Sequence, residues 1–158
     1  MTFEQYQSLT KQAVALIDGE SNLIANLSNI SALLSMSLDN LNWVGFYLLD
    51  GEEQLVLGPF QGKPACVRIP VGKGVCGTAV ANQRVERVEN VHDFVGHIAC
   101  DAQSNAEIVI PFSLNGKIAG VLDIDSPVIG RFSDVDEQGL TYLMTEIEKL
   151  LNSHTNAA

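Results

Sequence analysis

Two apolar runs on either side of an Asn-Gly dipeptide place the strongest constraint on how this chain can fold. Residues 108–114 and 117–124 are rich in aliphatic and aromatic side chains, and Asn115-Gly116 joins them. Asn-Gly favours the positive φ angles of a two-residue hairpin turn. The two runs therefore predict a pair of antiparallel strands.

A second hairpin is predicted earlier in the chain. Asp50-Gly51 lies between an aromatic and aliphatic run at 42–49 and a shorter apolar run at 54–57. Further short strands are predicted at 65–69 and 84–88. The first of these is flanked by prolines, which lack the N–H group that a central strand needs, so we expect it at a sheet edge.

Helical patterns occupy the two ends of the chain. Thr2 and Gln5 have the spacing of a capping box before a helix that begins near Phe3. Apolar residues at helical spacing predict a second helix over about 23–36. A last helix is predicted from Ser133 to about Asn152, with three acidic residues in its first turn.

This order of elements predicts an α+β fold. We expect a central antiparallel sheet with the N- and C-terminal helices packed against it. The chain has 158 residues, which favours a single domain covering 1–158. Within it, 1–40 would form the N-terminal helices, and 41–158 the sheet core with its closing helix.

The composition disfavours two classes of partner. There are 9 Lys and Arg against 19 Asp and Glu, a net charge of −10, which repels nucleic acid and anionic membranes. The N-terminus lacks the features of a signal peptide. No apolar run approaches the roughly 20 residues of a membrane span. We therefore expect a cytoplasmic protein with no nucleic-acid or membrane partner.

Three cysteines, Cys66, Cys76 and Cys100, have three possible explanations: inert buried thiols, metal ligands or redox-active thiols. Their spacing is unlike that of a structural zinc site. Gly72, Gly74 and Gly77 match a dinucleotide-binding pattern, but the strand context is wrong for it. We interpret these glycines as a tight turn that enters a short helix.

Cys100 differs from a core cysteine in its surroundings. It lies in a polar loop, where exposure and a nearby His97 would favour the reactive thiolate. The alternative is that His97 is an ordinary loop histidine. A second thiol could attack an oxidised Cys100 and form a disulfide, and from the residues both Cys66 and Cys76 are candidates.

Three acidic residues are expected beside this loop. Strand alternation places Asp123 and Asp125 on one face. Glu107 opens the neighbouring strand of the same hairpin, so it can lie next to both. Carboxylates that share a site repel one another and favour the binding of a cationic or proton-bearing ligand. The alternative is that they are solvated acids at the strand ends.

Three stretches closely resemble the free methionine-R-sulfoxide reductases, which are stand-alone GAF-domain enzymes. They are FQGKPACVRIP at 60–70, GKGVCGTA at 72–79 and VHDFVGHIACDAQSNAEIVIP at 91–111. The resemblance extends from about Trp43 to the closing helix. It implies a GAF fold, with a sheet of about six antiparallel strands.

The resemblance also implies a function and a set of roles. The substrate would be free L-methionine-R-sulfoxide, reduced by a thiol, sulfenic acid and disulfide mechanism that protects against oxidative damage. Cys100 would be the nucleophile, Cys66 the resolving thiol and Cys76 an auxiliary thiol. The residues expected to line the substrate pocket are Trp43, Glu107, Asp123 and Asp125.

A thioredoxin-type dithiol would restore the thiols, and the mechanism requires no metal or other cofactor. The resemblance further suggests a homodimer. The alternative to an enzyme is a GAF module that binds a small ligand or senses redox state without turnover.

Overall fold

The computed structural model describes residues 1–98, 100 and 102–156. The helices are α1 (Phe3–Ile17), α2 (Leu23–Ser37), α3 (Gly74–Asn82) and α4 (Asp134–Asn156). The strands are β1 (Trp43–Asp50), β2 (Gln54–Gly62), β3 (Arg68–Pro70), β4 (Glu86–Val88), β5 (Ala106–Leu114) and β6 (Lys117–Ser126). A short 3₁₀ turn covers Val91–Asp93.

The strands form one six-stranded antiparallel sheet in the order β3-β2-β1-β6-β5-β4. Both predicted hairpins are present, with β1 paired to β2 and β5 paired to β6. Asn115 has a φ of 54° and Gly116 a φ of 77°, as a type I′ turn requires. The predicted α+β class and the six-stranded antiparallel sheet are confirmed.

The sheet separates two apolar clusters because side chains alternate along each strand. Val44, Phe46, Ile108 and Ile124 lie on the face that packs against α1, α2 and α4. The opposite face carries a smaller cluster that includes Tyr47, Val109, Val121 and residues of α3. The large helices thus cover one face, and the other face is left for α3 and the loops.

The N-terminal helix is held at its start and along its length. Thr2 and Gln5 form the predicted capping box. Along the helix, the Tyr6 hydroxyl donates a hydrogen bond to Asp136 in the first turn of α4. Gly139 allows the Tyr6 ring to pack closely against α4, since an added Cβ at Gly139 would lie 2.1 Å from that ring.

The strand boundaries differ most from the prediction in β2 and β3. β2 continues to Gly62, beyond the predicted end at 57, and β3 is Arg68–Pro70 instead of 65–69. The pairing register shifts between Gly45 and Tyr47, so that two residues of β2 lie opposite one residue of β1. This bulge lets Pro59, which has no N–H, lie inside a strand. β3 lies at the sheet edge, as its prolines predict.

The glycine-rich segment forms the predicted turn and short helix. The Gly72 N–H donates to the carbonyl of Gly77 at 2.8 Å, and α3 begins at Gly74. The strand before it is the three-residue antiparallel β3, which is not the parallel strand of a dinucleotide-binding unit. Within the described part of the chain, no helix is both long and apolar enough to cross a bilayer.

Candidate functional site

Three neighbouring strands align the first elements of the site. Trp43 on β1 pairs with Asp125 on β6, and Asp125 pairs with Glu107 on β5. Asp123 lies two residues before Asp125 on β6, opposite Gly45. All four side chains belong to the face that the large helices leave open. The predicted proximity of Glu107 to both aspartates is therefore present in the fold.

The three carboxyl groups are buried. Glu107, Asp123 and Asp125 are 7%, 5% and 9% exposed, so the alternative of solvated acids at the strand ends is wrong. Burial raises the pKa of Glu107 well above its usual value, and the charges of both aspartates raise it further. Burial also raises the pKa of Asp123. A cluster like this holds protons or attracts a cation.

Cys76 reaches the same cluster from the helix that lies over this face. Its Sγ lies 4.0 Å from Oε2 of Glu107. Cys76 belongs to α3, and its side chain is buried. Burial raises the pKa of the Cys76 thiol, and the charges of Asp123 and Glu107 add to the effect. Cys76 keeps a free thiol, which these surroundings hold in its protonated form.

The other two cysteines are joined in a disulfide. Cys66 lies between β2 and β3, Cys100 precedes β5, and their Cα atoms are 5.4 Å apart. The sequence left both Cys66 and Cys76 as possible partners of Cys100, and the fold brings Cys66 to it. Asp101, which follows Cys100, lies outside the described residues.

Aromatic rings form one side of the site. Trp43 stacks between Phe60 and Tyr47, with ring centroids 5.2 Å and 5.8 Å away. The Trp43 indole N–H donates to the carbonyl of Lys63 at 3.2 Å. The Tyr47 hydroxyl donates to the carbonyl of Cys66 at 2.9 Å. One strand therefore supplies an apolar wall and holds the backbone of a redox cysteine.

Tyr47 is a site residue that the sequence prediction missed. The available signal was strand alternation, since Tyr47 follows Trp43 by two residues and must share its face. The position of Phe60 could not be predicted in this way. It lies beyond the predicted end of the strand at 57, and the bulge in β2 brings it next to Trp43.

His97 lies at the pocket together with Cys100. Burial lowers the pKa of His97, and the charge of His92 lowers it further. His97 is therefore mostly neutral near pH 7 and offers little positive charge to a neighbouring thiolate. The suggestion that it activates Cys100 electrostatically receives no support from these surroundings.

These groups line a small pocket that opens to solvent. Carboxyl groups lie on the sheet side, Trp43 and Tyr47 form an apolar wall, and Cys100 lines the same space. Such an arrangement suits a small molecule that carries a positive group and an apolar group. It also places a redox-active sulfur beside a supply of protons.

Comparison with known proteins gives consistent results. The sequence model of the GAF domain matches residues 30–152. The free methionine-R-sulfoxide reductase of Escherichia coli is 60% identical, over 94% of this chain and 89% of its own. The structure of the Staphylococcus aureus fRMsr in complex with substrate has 56% identity and a TM-score of 0.89, covering 96% of this chain and 97% of its own.

The structure of free methionine-R-sulfoxide reductase from Neisseria meningitidis, in complex with its substrate, has 38% identity and a TM-score of 0.92. It covers 99% of this chain and 93% of its own. These matches extend over nearly the whole chain. The chain belongs to the GAF domain family and, within it, to the free methionine-R-sulfoxide reductases.

Proposed function

We propose that this protein reduces free L-methionine-R-sulfoxide to L-methionine and that Cys100 is its nucleophile. The observation that carries the proposal is the Cys66–Cys100 disulfide beside a pocket of buried carboxyl groups. A disulfide in this position is the product expected after a thiol has accepted the sulfoxide oxygen and a second thiol has displaced it as water. The chain would act as one GAF domain over 1–158.

The substrate would be held by its two ends. Its ammonium group needs an anionic partner, which the buried aspartates Asp123 and Asp125 provide. Its S-methyl group needs an apolar surface, which Trp43 and Tyr47 provide. A methionine sulfoxide residue inside a polypeptide has no free ammonium group, so these contacts favour the free amino acid.

Glu107 would act as the general acid. Sulfoxide oxygen leaves poorly unless it is protonated, so the reaction needs a group that keeps its proton near neutral pH. Burial and the two neighbouring aspartates raise the pKa of Glu107, which meets that need. The substrate ammonium, when bound, would itself favour the charged form of a neighbouring aspartate.

The reaction then proceeds in three balanced steps. The Cys100 thiolate attacks the sulfoxide sulfur and forms an S–S bond while the oxygen takes up a proton. The hydroxyl group then passes from that sulfur to Cys100 as the S–S bond breaks, which leaves a sulfenic acid on Cys100 and releases methionine. The Cys66 thiol attacks that sulfenic sulfur, which forms the disulfide and releases water. A thioredoxin-type dithiol reduces the disulfide by exchange and becomes a disulfide itself.

Cys76 would serve as an auxiliary thiol in this scheme, close to the reacting groups but outside the disulfide. We also propose that the protein acts as a homodimer in the cytoplasm, where a dithiol donor keeps its cysteines reduced between turnovers.

Stereospecific turnover tests the proposal. Reduced protein is mixed with free methionine-R-sulfoxide, free S-sulfoxide or an R-sulfoxide peptide, with dithiothreitol as reductant. We expect methionine from the free R form alone and none from Cys100→Ser. The matched variant Cys66→Ser, prereduced and without added thiol, should release about one methionine per chain and form no disulfide.

The opposite results would each be informative. If the wild-type protein has reduced thiols and releases no methionine from any substrate, the enzyme proposal fails and a ligand-binding GAF module becomes the better explanation. If Cys100→Ser remains active, the proposed nucleophile is wrong even though the activity stands.

A further inference from the structure

Cys76 is a buried thiol that the disulfide leaves unused, and it lies among potential metal ligands. Its Sγ and one carboxylate oxygen from each of Glu107 and Asp123 all lie within 4.8 Å of one another. We propose that these three side chains form a binding site for a thiophilic divalent cation such as Zn²⁺. If the proposed function is correct, that cation competes with the substrate for the pocket.

The spacing suits a single ion. Zinc binds sulfur at about 2.3 Å and carboxylate oxygen at about 2.1 Å, so tetrahedral ligands lie roughly 3.6 Å apart. Sγ of Cys76 and Oε2 of Glu107 are already 4.0 Å apart. All three ligand atoms lie within 4.8 Å of one another, so side-chain movements of about 1 Å or less would bring them to the spacing of a coordinated ion.

Asp123 provides a second and independent indication. Its side chain is 5% exposed, and its Oδ1 atom has no hydrogen-bond partner among the described residues. Burying an acceptor without a partner is unfavourable. This atom belongs to a side chain that lines the pocket, so a cation held there would supply the missing interaction.

The donor set indicates the class of metal. One thiolate with two carboxylates suits zinc or cadmium, whereas magnesium and calcium prefer oxygen ligands throughout. Binding displaces the Cys76 proton to solvent, since the thiolate is the ligand. A fourth position would face the pocket, which is the space proposed for the substrate.

This site differs from the structural zinc site that the cysteine spacing disfavours. Its ligands come from α3, β5 and β6, elements that the sheet and its apolar clusters already hold in place. The fold therefore does not depend on the metal. The cation would act as an inhibitor whose binding is excluded when substrate is present.

Cadmium is a suitable probe because a cadmium–thiolate bond absorbs in the near ultraviolet. The experiment uses the oxidised protein, in which Cys66 and Cys100 are joined, so Cys76 supplies the available thiol. We expect one Cd²⁺ per chain with a thiolate band. Cys76→Ser should lose the band, and the near-isosteric Asp123→Asn should weaken binding at least about tenfold.

A surface variant controls for non-specific binding to this acidic protein. Glu52 and Glu53 are exposed acids on the β1–β2 turn, and neither of them lines the pocket. The double substitution E52Q/E53Q should leave the cadmium band and affinity unchanged. Circular dichroism of each variant establishes that it is folded before its titration is interpreted.

Free methionine-R-sulfoxide provides the competition test, since the oxidised protein has no thiol pair with which to reduce it. We expect the R form to displace Cd²⁺ and the S form to do so much less. The absence of a thiolate band, or a band that survives in Cys76→Ser, would overturn the metal site. A band in a protein without turnover would instead reject the proposed function while the metal site stands.

Discussion

Glu107 illustrates how a single residue can exchange stability for activity. Its carboxyl group is buried beside Asp123 and Asp125, and this environment raises its pKa well above the usual value. Burying an ionisable group among like charges lowers the free energy of unfolding. In the proposed reaction, the same burial would keep a proton available for the sulfoxide oxygen.

We therefore predict opposite effects of Glu107→Gln on activity and stability. The amide cannot donate a proton as an acid, so kcat should fall by about 10²–10⁴-fold. KM should change little, because the aspartates that would bind the ammonium group remain. The free energy of unfolding at neutral pH should be equal to or higher than that of the wild type.

Steady-state kinetics and urea unfolding measure these two effects. A rise in KM with kcat unchanged would instead make Glu107 a substrate-binding residue. The matched control is Glu148→Gln, a carboxylate on α4 that hydrogen-bonds the Ser113 N–H on the other side of the sheet. It should leave kcat unchanged.

Tyr47 connects the apolar side of the pocket to Cys66. Its hydroxyl donates to the carbonyl of Cys66 at 2.9 Å, and its ring stacks beside Trp43. Tyr47→Phe keeps the ring and removes the hydrogen bond. We predict that methionine release in a single turnover is nearly unchanged, whereas closure of the Cys66–Cys100 disulfide slows several-fold.

Rapid-quench measurement of methionine and thiol content separates these steps. The control is Tyr142→Phe, which removes a hydroxyl from α4 on the opposite face of the sheet. If Tyr47→Phe slows methionine release as much as disulfide closure, then the hydroxyl acts on the substrate and its contact with Cys66 is incidental.

At the scale of elements, a buried hydrogen bond joins the first and last helices. Tyr6 on α1 donates to Asp136 on α4, and Arg131 and Ser133 also contact that carboxylate. Burial alone would raise the pKa of Asp136, but the hydrogen bonds of Ser133 and Tyr6 and the charge of Arg131 lower it overall. The ionised carboxylate is therefore the form that joins the helices.

Tyr6→Phe should lower the free energy of unfolding by about 1.5–3 kcal/mol at neutral pH, the usual contribution of a hydrogen bond to a charged group. Because the folded-state pKa of Asp136 lies below its ordinary value of 3.8, this stability is present above that pH. It is lost as the pH falls through the folded-state pKa.

Urea unfolding at several pH values tests the prediction, with Tyr142→Phe as the control for loss of a hydroxyl on α4. The difference between Tyr6→Phe and wild type should shrink at low pH. A difference that is independent of pH would mean that the hydroxyl contributes through packing and not through the Asp136 charge.

Local sequence chemistry was sufficient to predict most elements. Asn115-Gly116, the Thr2 capping box and helical spacing each act over a few residues, and all three are present in the structure. The extent of β2 could not be predicted in this way. Gly58 and Pro59 lie beyond the predicted strand end at 57, and they belong to β2 because pairing with β1 accommodates them in a bulge.

The site shows the same division. The shared face of Asp123 and Asp125 and the position of Glu107 follow from strand alternation and hairpin pairing, which are local. The juxtaposition of Cys66 and Cys100 depends on two loops 34 residues apart in sequence. Residue spacing left the partner of Cys100 open, and the family resemblance was needed to favour Cys66.

For the whole molecule, the disulfide ties together two loops over the open face of the sheet. One loop connects β2 to β3, and the other leads into β5. In the chain-entropy description, a crosslink across 34 residues stabilises the fold by about 3–4 kcal/mol. Oxidation during turnover should therefore make the protein more stable than its reduced form.

We predict that the free energy of unfolding of the oxidised wild-type protein exceeds that of the reduced protein by about this amount. Its urea midpoint should therefore be higher. The control is Cys100→Ser, which retains two thiols but cannot close the loop, so its urea midpoint should not respond to reductant. Equal midpoints for the two wild-type states would mean that the loops are already ordered without the crosslink. With the expected difference, the reduction step of the proposed reaction would loosen the two loops that the disulfide joins, at the stage when new substrate must enter the pocket.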